Sequence, residues 1–509
     1  MKEVLLGRQE LSLEDLTAVA RNKAPVRLVP EARKRVERAR KLVENWVAQG
    51  RVVYGVTTGF GALCGESISA KDARRLQENV LMSHAAGVGR PLAEEIVRAM
   101  MAIRVQDLAQ GCSGIRLKTL LGLIDFLNKG LSPVVPEKGS VGASGDLAPM
   151  AHLALVMIGQ GEAFFQGLRL PGPEALAQAG LEPIQLEAGE GLALINGTQT
   201  MTAITALAVH DADRLLKTAD IACALSLEVL MGTNAEFDPR IHRIRPHPGQ
   251  AAAADNMDRL TRDSEIISSH KDCSRIQDAY TLRCSPQIHG ASKDALSHVR
   301  QVVGIELNSS TTNPLILPQT ADFLLGGNFH GQPMALAADY LSLALAETAS
   351  VSERRIERLV NPQLSGLPAF LVQESGLNSG LMIAQYTAAA LVSENKVLAH
   401  PACVDSIPTS ANKEDHVSMG TISARKCRSI LQNAEYVVAI ELLCGAQALD
   451  LLTKGRPGRG TEQAYLTIRK SIPRLDQDRV LAQDIETMVQ LVRSGQLVTS
   501  VESAVGPLK

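Results

Sequence analysis

The sequence predicts a mainly α-helical protein built around a bundle of long helices. Apolar side chains recur at helical spacing in five alanine- and leucine-rich segments, at residues 198–231, 287–307, 333–359, 380–398 and 421–451. Signals typical of β-strands are confined to two short places, and the 509 residues, 45% of them hydrophobic, can bury a sizeable core. Because few of the long segments have a fully polar face, we expect the bundle to be shared between subunits.

The N-terminal region is predicted to be mostly helical. Ser12 and Asp15 have the spacing of a capping box that opens a short helix. Pro30 introduces a charged amphipathic helix, which Gly50 can end as a C-cap. From residue 70 to about residue 126, apolar positions again recur at helical spacing, with two glycine-containing breaks.

Two places carry the β signals. The β-branched residues that follow Arg51 predict a strand, which leads into a glycine-rich loop at residues 54–61. This loop presents Tyr54 and is a candidate lid. Residues 163–170 predict a small hairpin.

Composition and charge exclude several classes of protein. The formal net charge is −2 with 21% charged residues, so there is no basic excess for nucleic acid or an anionic membrane. The N-terminus lacks the apolar core of a signal peptide, and no run approaches the ~20 apolar residues of a membrane span. The eight cysteines are scattered without a C-x-x-C pair, and we interpret them as free thiols. No spacing typical of metal ligands occurs, so we expect no metal site. Because neither a signal peptide nor a membrane span is predicted, we expect a cytoplasmic protein.

The stretch at residues 139–149 is too small and too polar for an ordinary core element. It reads Gly-Ser-Val-Gly-Ala-Ser-Gly-Asp-Leu-Ala-Pro, with three glycines where the backbone must bend tightly or approach another group. A turn or an anion-binding loop is the ordinary explanation. A phosphate loop does not fit, because Lys138 precedes the glycines, and the dinucleotide spacing G-x-G-x-x-G is absent. The G-x-S-x-G elbow of serine hydrolases would need one more residue.

The tripeptide Ala143-Ser144-Gly145 at the centre of this stretch permits a rarer chemistry. In a compressed turn, the nitrogen of Gly145 can attack the carbonyl carbon of Ala143, and loss of water closes a five-membered ring. If Ser144 also loses its hydroxyl as water, the ring carries an exocyclic methylidene. Ser144 would then be the source of an electrophilic carbon, which no standard side chain supplies.

Polar clusters also interrupt the predicted helices, and such breaks often carry function. They lie at residues 83–87, 195–199, 277–284, 326–333 and 410–416. Each has an ordinary alternative. His84 could be a helical histidine with its hydrogen bonds satisfied, and Glu414 could belong to a solvated face. Tyr280 and Arg283 could form a surface pair one helical turn apart.

Taken together, these motifs resemble those of the aromatic amino acid ammonia-lyases, most closely the histidine-specific members, over essentially the whole chain. The motifs that carry the resemblance are the stretch at 139–149, Tyr-Gly-Val-Thr-Thr-Gly-Phe-Gly at 54–61, Gly-Asn-Phe-His-Gly-Gln-Pro at 327–333 and Ser-Ala-Asn-Lys-Glu-Asp-His-Val-Ser-Met at 410–419. The resemblance implies a mainly α fold with a long, fumarase/aspartase-like central helical bundle. Residues 1–200 would form an N-terminal active-site region with a little β structure, and residues 201–509 the bundle and a C-terminal helical region.

The resemblance also implies a prosthetic group and a set of site residues. Ala143, Ser144 and Gly145 would form 4-methylideneimidazol-5-one (MIO) by the ring closure described above, with no external cofactor. Gly142 and Asp146 would support its formation. The other implied site residues are Tyr54 and Tyr280 for acid/base steps, Phe329 to assist ring closure, Asn196 for MIO or the substrate, Gln277 for the amino acid and Arg283 for its carboxylate. An arginine fork matches a carboxylate, and the weakly acidic β-hydrogen of the substrate needs a base, although which tyrosine acts is open.

Substrate choice is implied by few residues. His84, preceded by Ser83, has the histidine-type form of a position where phenylalanine-specific relatives carry bulky apolar residues. Glu414 can accept a hydrogen bond from an imidazole N–H, which a phenyl ring lacks. The implied reaction converts L-histidine to trans-urocanate and ammonia, the first step of histidine degradation. The implied assembly is a homotetramer with active sites shared between subunits.

Two other functions stay open on the sequence. A phenylalanine or tyrosine ammonia-lyase, or an aminomutase, would use the same electrophile on another substrate. A catalytically silent helical scaffold would keep the fold alone, but Tyr54, Ser144 and Arg283 are all present. Three residues depart from the family's usual pattern: Lys413, Ala279 and Thr312. We expect these departures to affect selectivity more than reaction class.

Overall fold

The computed structural model describes residues 2–8, 10–61, 65, 68–69, 72–270, 276–453 and 455–509. These residues form two compact units, each assembled from three segments of the chain. Unit 1 comprises Met1–His210, Arg300–Asp339 and Pro401–Arg425. Unit 2 comprises Asp211–Val299, Tyr340–His400 and Lys426–Lys509. The division of the chain at residue 200 stays a prediction about its domains.

The N-terminal part of unit 1 is mainly helical, as the periodicity predicts. Its helices are α1 (Leu13–Arg21), α2 (Pro30–Ala48), α3 (Ala73–His84), α4 (Glu94–Leu108), α5 (Leu117–Lys129), α6 (Leu147–Met157), α7 (Gly172–Gln178) and α8 (Glu190–Ile195). Helix α6 begins at Leu147, within the glycine-rich stretch at 139–149, and α8 ends directly before Asn196. These two helices therefore hold two of the predicted site segments.

The strands of unit 1 are short. They are β1 (Val4–Leu6), β2 (Val26–Leu28), β3 (Val88–Pro91), β4 (Ser132–Pro133), β5 (Pro136–Lys138), β6 (Glu162–Phe165), β7 (Leu168–Pro171), β8 (Leu315–Leu317) and β9 (Asp322–Leu324). Strands β1 and β2 pair in parallel, whereas β3 with β5 and β8 with β9 pair antiparallel. The predicted hairpin is confirmed as β6 and β7, with Phe165 opposite Leu168, and β4 extends this sheet.

The first two helices begin at the predicted residues. The backbone N–H of Asp15 donates to Ser12 Oγ at 3.0 Å, which makes Ser12 the N-cap of α1. Pro30 is the first residue of α2, a position where its missing N–H leaves no helical bond unmade. Beyond the end of α2, Gly50 takes the left-handed conformation with φ of +64°.

The prediction of a strand after Arg51 is wrong. Residues 54–57 form a turn. Residues 51–53 pair with no strand in the part of the chain that the structure describes. The Thr57 and Thr58 hydroxyls accept hydrogen bonds from the backbone N–H groups of Val53, at 2.9 Å, and Gly55, at 3.1 Å. Side-chain acceptors thus satisfy this backbone locally, and β-branched residues do not form a strand without a neighbouring strand to pair with.

From residue 199 onward the chain is dominated by long helices. The helices are α9 (Gln199–Val229), α10 (Pro239–Arg243), α11 (Pro248–Leu260), α12 (Glu265–Ser268), α13 (Tyr280–Arg283), α14 (Ser285–Glu306), α15 (Gln332–Val360), α16 (Pro362–Ser365), α17 (Met382–Leu398), α18 (Gly420–Leu451), α19 (Arg459–Ser471), α20 (Leu481–Arg493) and α21 (Gln496–Val505). The five long predicted segments are confirmed as α9, α14, α15, α17 and α18, and their ends differ from the prediction by at most two residues.

The interior of unit 2 contains a charged pair. Arg355 Nε lies 2.5 Å from Glu441 Oε1, and neither side chain is exposed to solvent. The hydroxyls of Ser352 and Ser226 donate to the same carboxylate at 2.6 Å and 2.7 Å. Removing one member of such a pair leaves an uncompensated buried charge and costs about 3–5 kcal/mol.

Within the described residues, no helix has the length and apolar character needed to cross a membrane. The same residues contain no group of three or more His, Cys, Asp or Glu side chains arranged to hold a metal ion. No disulfide joins the cysteines of the described part. Cys64 and Cys273 lie outside the described residues.

Candidate active site

Several residues implied by the motifs line one cavity of unit 1, with a volume of about 640 Å³. They are Tyr54, Ser83, His84, Ser144, Asn196 and Glu414. The rest of the lining is largely apolar and includes Phe60, Leu76, Val80, Leu147 and Leu192. An apolar cavity with a few convergent polar groups is typical of a small-molecule site.

The glycine-rich stretch turns where glycine is required. Gly142 and Gly145 have φ of +73° and +76°, a left-handed conformation that side chains rarely adopt. A Cβ at Gly145 would also overlap the carbonyl group of Gly197. The backbone N–H of Asp146 donates to that same carbonyl at 2.7 Å. The turn around Ser144 is therefore held close against the backbone at residue 197.

Asp146 follows the tripeptide and is fully buried, and both of its carboxylate oxygens accept hydrogen bonds. Its Oδ2 accepts from the backbone N–H groups of Thr200 and Met201, at 2.9 Å each, in the first turn of α9. Its Oδ1 accepts from the hydroxyls of Ser140, at 3.2 Å, and Thr421. Burial raises the pKa of Asp146 above its ordinary value, and these hydrogen bonds oppose that shift. The positive end of the α9 dipole also favours the ionised carboxylate.

Ser144 contacts Glu414, which is held in place by its own segment. Ser144 Oγ donates to Glu414 Oε1 at 3.3 Å, and Thr409 Oγ1 donates to Oε2 at 2.8 Å. Reciprocal backbone hydrogen bonds of 2.9 Å and 3.3 Å between Thr409 and Glu414 close a tight turn. Residues 410–412 within it have φ between +50° and +65°, which costs non-glycine residues about 1 kcal/mol or more each. Backbone strain of this kind is common where a side chain is held for function.

Asn196 connects the tripeptide to a buried arginine that the sequence analysis missed. Asn196 Nδ2 donates to the Ser144 carbonyl at 3.3 Å, and its own carbonyl accepts from both Nη atoms of Arg104, each at 3.0 Å. Arg104 pairs with Asp107 at 3.1 Å, and burial lowers its pKa to about 10. The available signal was this charged pair at i, i+3 within a largely apolar helix. Asn196 Oδ1 is buried without a hydrogen-bond partner among the described atoms, and can accept from a ligand in the cavity.

Ser83 and His84 form the C-terminal end of α3 at the cavity wall. The Ser83 hydroxyl lies 3.1 Å from His84 Nδ1. Burial lowers the pKa of His84 below its ordinary value, although Glu414 opposes the shift. The imidazole is therefore mainly neutral at pH 7 and offers one donor and one acceptor.

Tyr54 and Phe329 differ in their relation to the cavity. Tyr54 lines the cavity, and its hydroxyl accepts a hydrogen bond from the backbone N–H of Gly61 at 3.1 Å. Phe329 is half-buried in the turn before α15 and is absent from the described lining. Its assistance in ring closure stays a prediction.

Gln277, Tyr280 and Arg283 lie in unit 2, whereas the described lining of the cavity comes from unit 1. Tyr280 and Arg283 stand at the two ends of the one-turn helix α13. The central guanidinium carbon of Arg283 lies 4.8 Å from the centre of the Tyr280 ring. Tyr280 is 68% exposed and Gln277 is also exposed, so unit 2 presents these side chains at its surface.

The three departures from the family's pattern lie outside the described cavity lining. Lys413 is exposed next to Glu414, and Ala279 is the N-cap of α13. Thr312 is buried.

The family model described as aromatic amino acid lyase matches residues 11–470, and the chain belongs to this family. A histidine ammonia-lyase from Symbiobacterium thermophilum is 57% identical to this chain over 509 residues, which is 100% of both proteins.

Solved structures confirm the mainly α-helical fold. The crystal structure of histidine ammonia-lyase from Trypanosoma cruzi matches with a TM-score of 0.92 and 43% identity, covering 99% of this chain and 96% of that one. Tyrosine aminomutase from Streptomyces globisporus matches with a TM-score of 0.94 and 37% identity, covering 100% of both chains.

Proposed function

We propose that this chain is a histidine ammonia-lyase, which eliminates ammonia from L-histidine and releases trans-urocanate. The observation that carries the proposal is that Ser144, His84 and Glu414 line one cavity, in a chain 57% identical along its whole length to a protein of that name. A carboxylate and a neutral imidazole are hydrogen-bonding partners for the ring nitrogens of histidine. A phenyl or phenol ring has no such nitrogens.

We infer that Ala143, Ser144 and Gly145 form MIO, without an external cofactor. The stretch is suited to this group because Ala143 is buried, Ser144 reaches the cavity, and a Cβ at Gly145 would meet the Gly197 carbonyl. When formed, MIO supplies an electrophilic carbon that activates the amino group of the substrate for departure.

The chain's own side chains would bind and orient the substrate. Glu414 would accept a hydrogen bond from the imidazole N–H, and His84 would contact the same ring. Asn196 would use its unpartnered Oδ1 for the substrate or for MIO. Arg283 would hold the carboxylate with its planar fork, and Gln277 would support the amino acid.

The tyrosines Tyr54 and Tyr280 would move the protons. The β-hydrogen of histidine is only weakly acidic, so elimination needs a base close to it. Tyr54 lines the cavity and the Gly61 N–H donates to its hydroxyl oxygen, which supports Tyr54 as one candidate for the base. Exposure of Tyr280 leaves its hydroxyl free to reach a substrate held by Arg283.

We propose that the assembly is a homotetramer whose active sites combine residues of several subunits. Large apolar side chains on α15 and α17 support this, since Leu343, Tyr386 and Val397 are 47%, 60% and 74% exposed. Exposed apolar side chains on long helices are typical of subunit interfaces. Native mass spectrometry of the purified chain tests the subunit number, and a stable monomer would contradict the proposal.

The function is tested by adding L-histidine to the purified full-length chain and following the absorbance of urocanate. The intact mass is measured on the same sample, because MIO formation removes two molecules of water from the encoded chain. A chain that has lost both waters and is tetrameric, yet forms no urocanate, would refute histidine as the substrate. A chain with the unmodified mass would favour the silent scaffold.

A second candidate is an aminomutase, which the TM-score of 0.94 with a tyrosine aminomutase favours. Both reactions begin from the same electrophile, so product identity separates them. Incubation with L-histidine, L-phenylalanine and L-tyrosine, followed by chromatography, distinguishes an unsaturated acid from a β-amino acid. We expect urocanate from L-histidine, with little product from the other two substrates.

A further inference from the structure

Two hydroxyl groups link the residue before the Ala143-Ser144-Gly145 tripeptide to the residue after it. Ser140 Oγ accepts a hydrogen bond from the backbone N–H of Gly142 at 3.2 Å and lies 3.2 Å from Asp146 Oδ1. Thr421 Oγ1 lies 3.0 Å from Ser140 Oγ and donates to the same carboxylate oxygen. Gly142 directly precedes the tripeptide and Asp146 directly follows it, so this series of contacts holds both ends of the tripeptide.

Thr421 approaches the tripeptide from a distant segment. It stands in the first turn of α18, is buried, and lies 275 residues from Asp146 in sequence. The residues just before it also bind the stretch: Met419 N–H donates to the Val141 carbonyl at 2.8 Å, and Ser418 Oγ donates to the Gly142 carbonyl at 3.2 Å. The start of α18 therefore fixes the N-terminal side of the turn.

The C-terminal side of the turn is fixed by α9. The N–H groups of Thr200 and Met201 hold Asp146 Oδ2, while Thr421 and Ser140 contact Oδ1. Thr421 thus touches groups on both sides of the tripeptide, Ser140 on one and Asp146 on the other. Without its hydroxyl, a fully buried carboxylate oxygen would lose a donor from a side chain that is itself immobilised in a helix.

We propose that Thr421 is a positioning residue for the autocatalytic closure of the MIO ring, an inference that rests on the proposed function. In that closure, the nitrogen of Gly145 bonds to the carbonyl carbon of Ala143. The Ala143 oxygen leaves as water with the amide protons of Gly145 and Ser144. The Cα proton and hydroxyl of Ser144 leave as the second water. Thr421 takes no part in these bonds and acts by keeping the ends of the tripeptide together through Ser140 and Asp146.

The test compares the rate of double dehydration in full-length variants made by cell-free synthesis, with intact mass measured at intervals after translation is stopped. Thr421→Val removes the hydroxyl at nearly constant volume. We expect the rate of loss of two waters to fall at least about tenfold, the effect of losing a hydrogen bond to a charged group. Thr421→Ser keeps a hydroxyl and should restore a rate close to that of the wild type.

Thr205→Val is the matched control. Thr205 is also buried, but its hydroxyl donates only to the Met201 carbonyl of its own helix, at 2.8 Å. We expect this variant to lose both waters at the wild-type rate. Circular dichroism and thermal melting of each variant establish that the chain is folded, which separates positioning from general destabilisation.

The outcomes distinguish the inference from the function on which it rests. A wild-type chain that never loses two waters would refute the proposed function. A wild-type chain that does so, with a folded Thr421→Val chain that dehydrates equally fast, would overturn the positioning role alone. If Thr421→Val does not fold, Ser140→Ala replaces it in the test. This variant removes the other hydroxyl of the same link to Asp146, and Ser140 is only half-buried. A wild-type dehydration rate in Ser140→Ala would then overturn the inference.

Discussion

The Ser144 hydroxyl donates a hydrogen bond to the Glu414 carboxylate at 3.3 Å, across 270 residues of sequence. This contact joins the residue proposed to supply the electrophilic carbon to the residue proposed to recognise the imidazole ring. The second carboxylate oxygen of Glu414 is held by Thr409 at 2.8 Å. In the chain before ring closure Ser144 and Glu414 are therefore in direct contact, and we expect changes at Ser144 to affect the loss of water and changes at Glu414 to affect selectivity.

Ser144→Ala should leave the chain folded and nearly inactive. The methyl group of alanine has no hydroxyl to lose, so no methylidene can form. Intact mass should show that the loss of two waters is abolished, and urocanate formation should fall by several orders of magnitude. Ser503→Ala is the matched control, since Ser503 is exposed and its hydroxyl donates only to the Ser500 carbonyl at 2.6 Å. Full activity in Ser144→Ala would refute the MIO proposal.

Glu414→Gln should weaken recognition of histidine while leaving the double dehydration intact. The amide keeps the size of the side chain but loses the charge-assisted hydrogen bond to an imidazole N–H. We expect kcat/KM for L-histidine to fall about tenfold to a hundredfold, with little change for L-phenylalanine. Asp415→Asn changes the neighbouring exposed carboxylate and should have no such effect. An equal loss for both substrates would contradict a role in selectivity.

Arg104→Met should lower the free energy of unfolding by about 3–5 kcal/mol, because Asp107 would remain buried without its charged partner. Urea denaturation of the purified variant measures this change. The double variant Arg104→Met with Asp107→Leu should recover part of the loss, since no unpaired charge then remains. Arg90→Met, at an exposed arginine, should stay within about 0.5 kcal/mol of the wild type. Equal stability of Arg104→Met and Arg90→Met would contradict the assigned role of the buried pair.

Glu228→Gln should change how stability depends on pH. Burial raises the pKa of Glu228 from 4.5 to about 7. Between these values the folded chain keeps the proton that the unfolded chain releases, so this group's contribution falls as pH rises from about 4.5 to about 7, by about 3 kcal/mol. Glutamine cannot ionise and can still accept the Gly458 N–H that donates to Glu228 Oε1 at 2.7 Å.

The measurement for Glu228 is the melting temperature of each chain between pH 4.5 and pH 8. The Glu228→Gln chain should melt above the wild type at pH 8, and the difference should shrink as the pH falls. Glu182→Gln, at an exposed carboxylate, is the control and should follow the wild type. A difference between Glu228→Gln and the wild type that does not vary with pH would contradict the raised pKa.

The local signals in the sequence predicted individual elements well. The apolar periodicity located α9 and α18 to within two residues, and Ser12 and Pro30 marked the starts of α1 and α2. The β-branched residues after Arg51 were misleading, because their strand propensity had no neighbouring strand to satisfy it and threonine hydroxyls bonded the backbone instead. The sequence analysis did not identify Arg104 and Thr421, because their roles depend on contacts with residues distant in sequence.

By itself, the sequence determined the helical class, the tight glycine turn around Ser144 and the motifs that assign the family, since each depends on residues close together in the chain. Only the tertiary structure decided that Glu414 contacts Ser144, that Arg104 binds the Asn196 carbonyl, and that Thr421 reaches Asp146. These contacts join segments separated by about a hundred to nearly three hundred residues. Which distant side chains meet depends on the packing of the helices that carry them, and no local pattern specifies that packing.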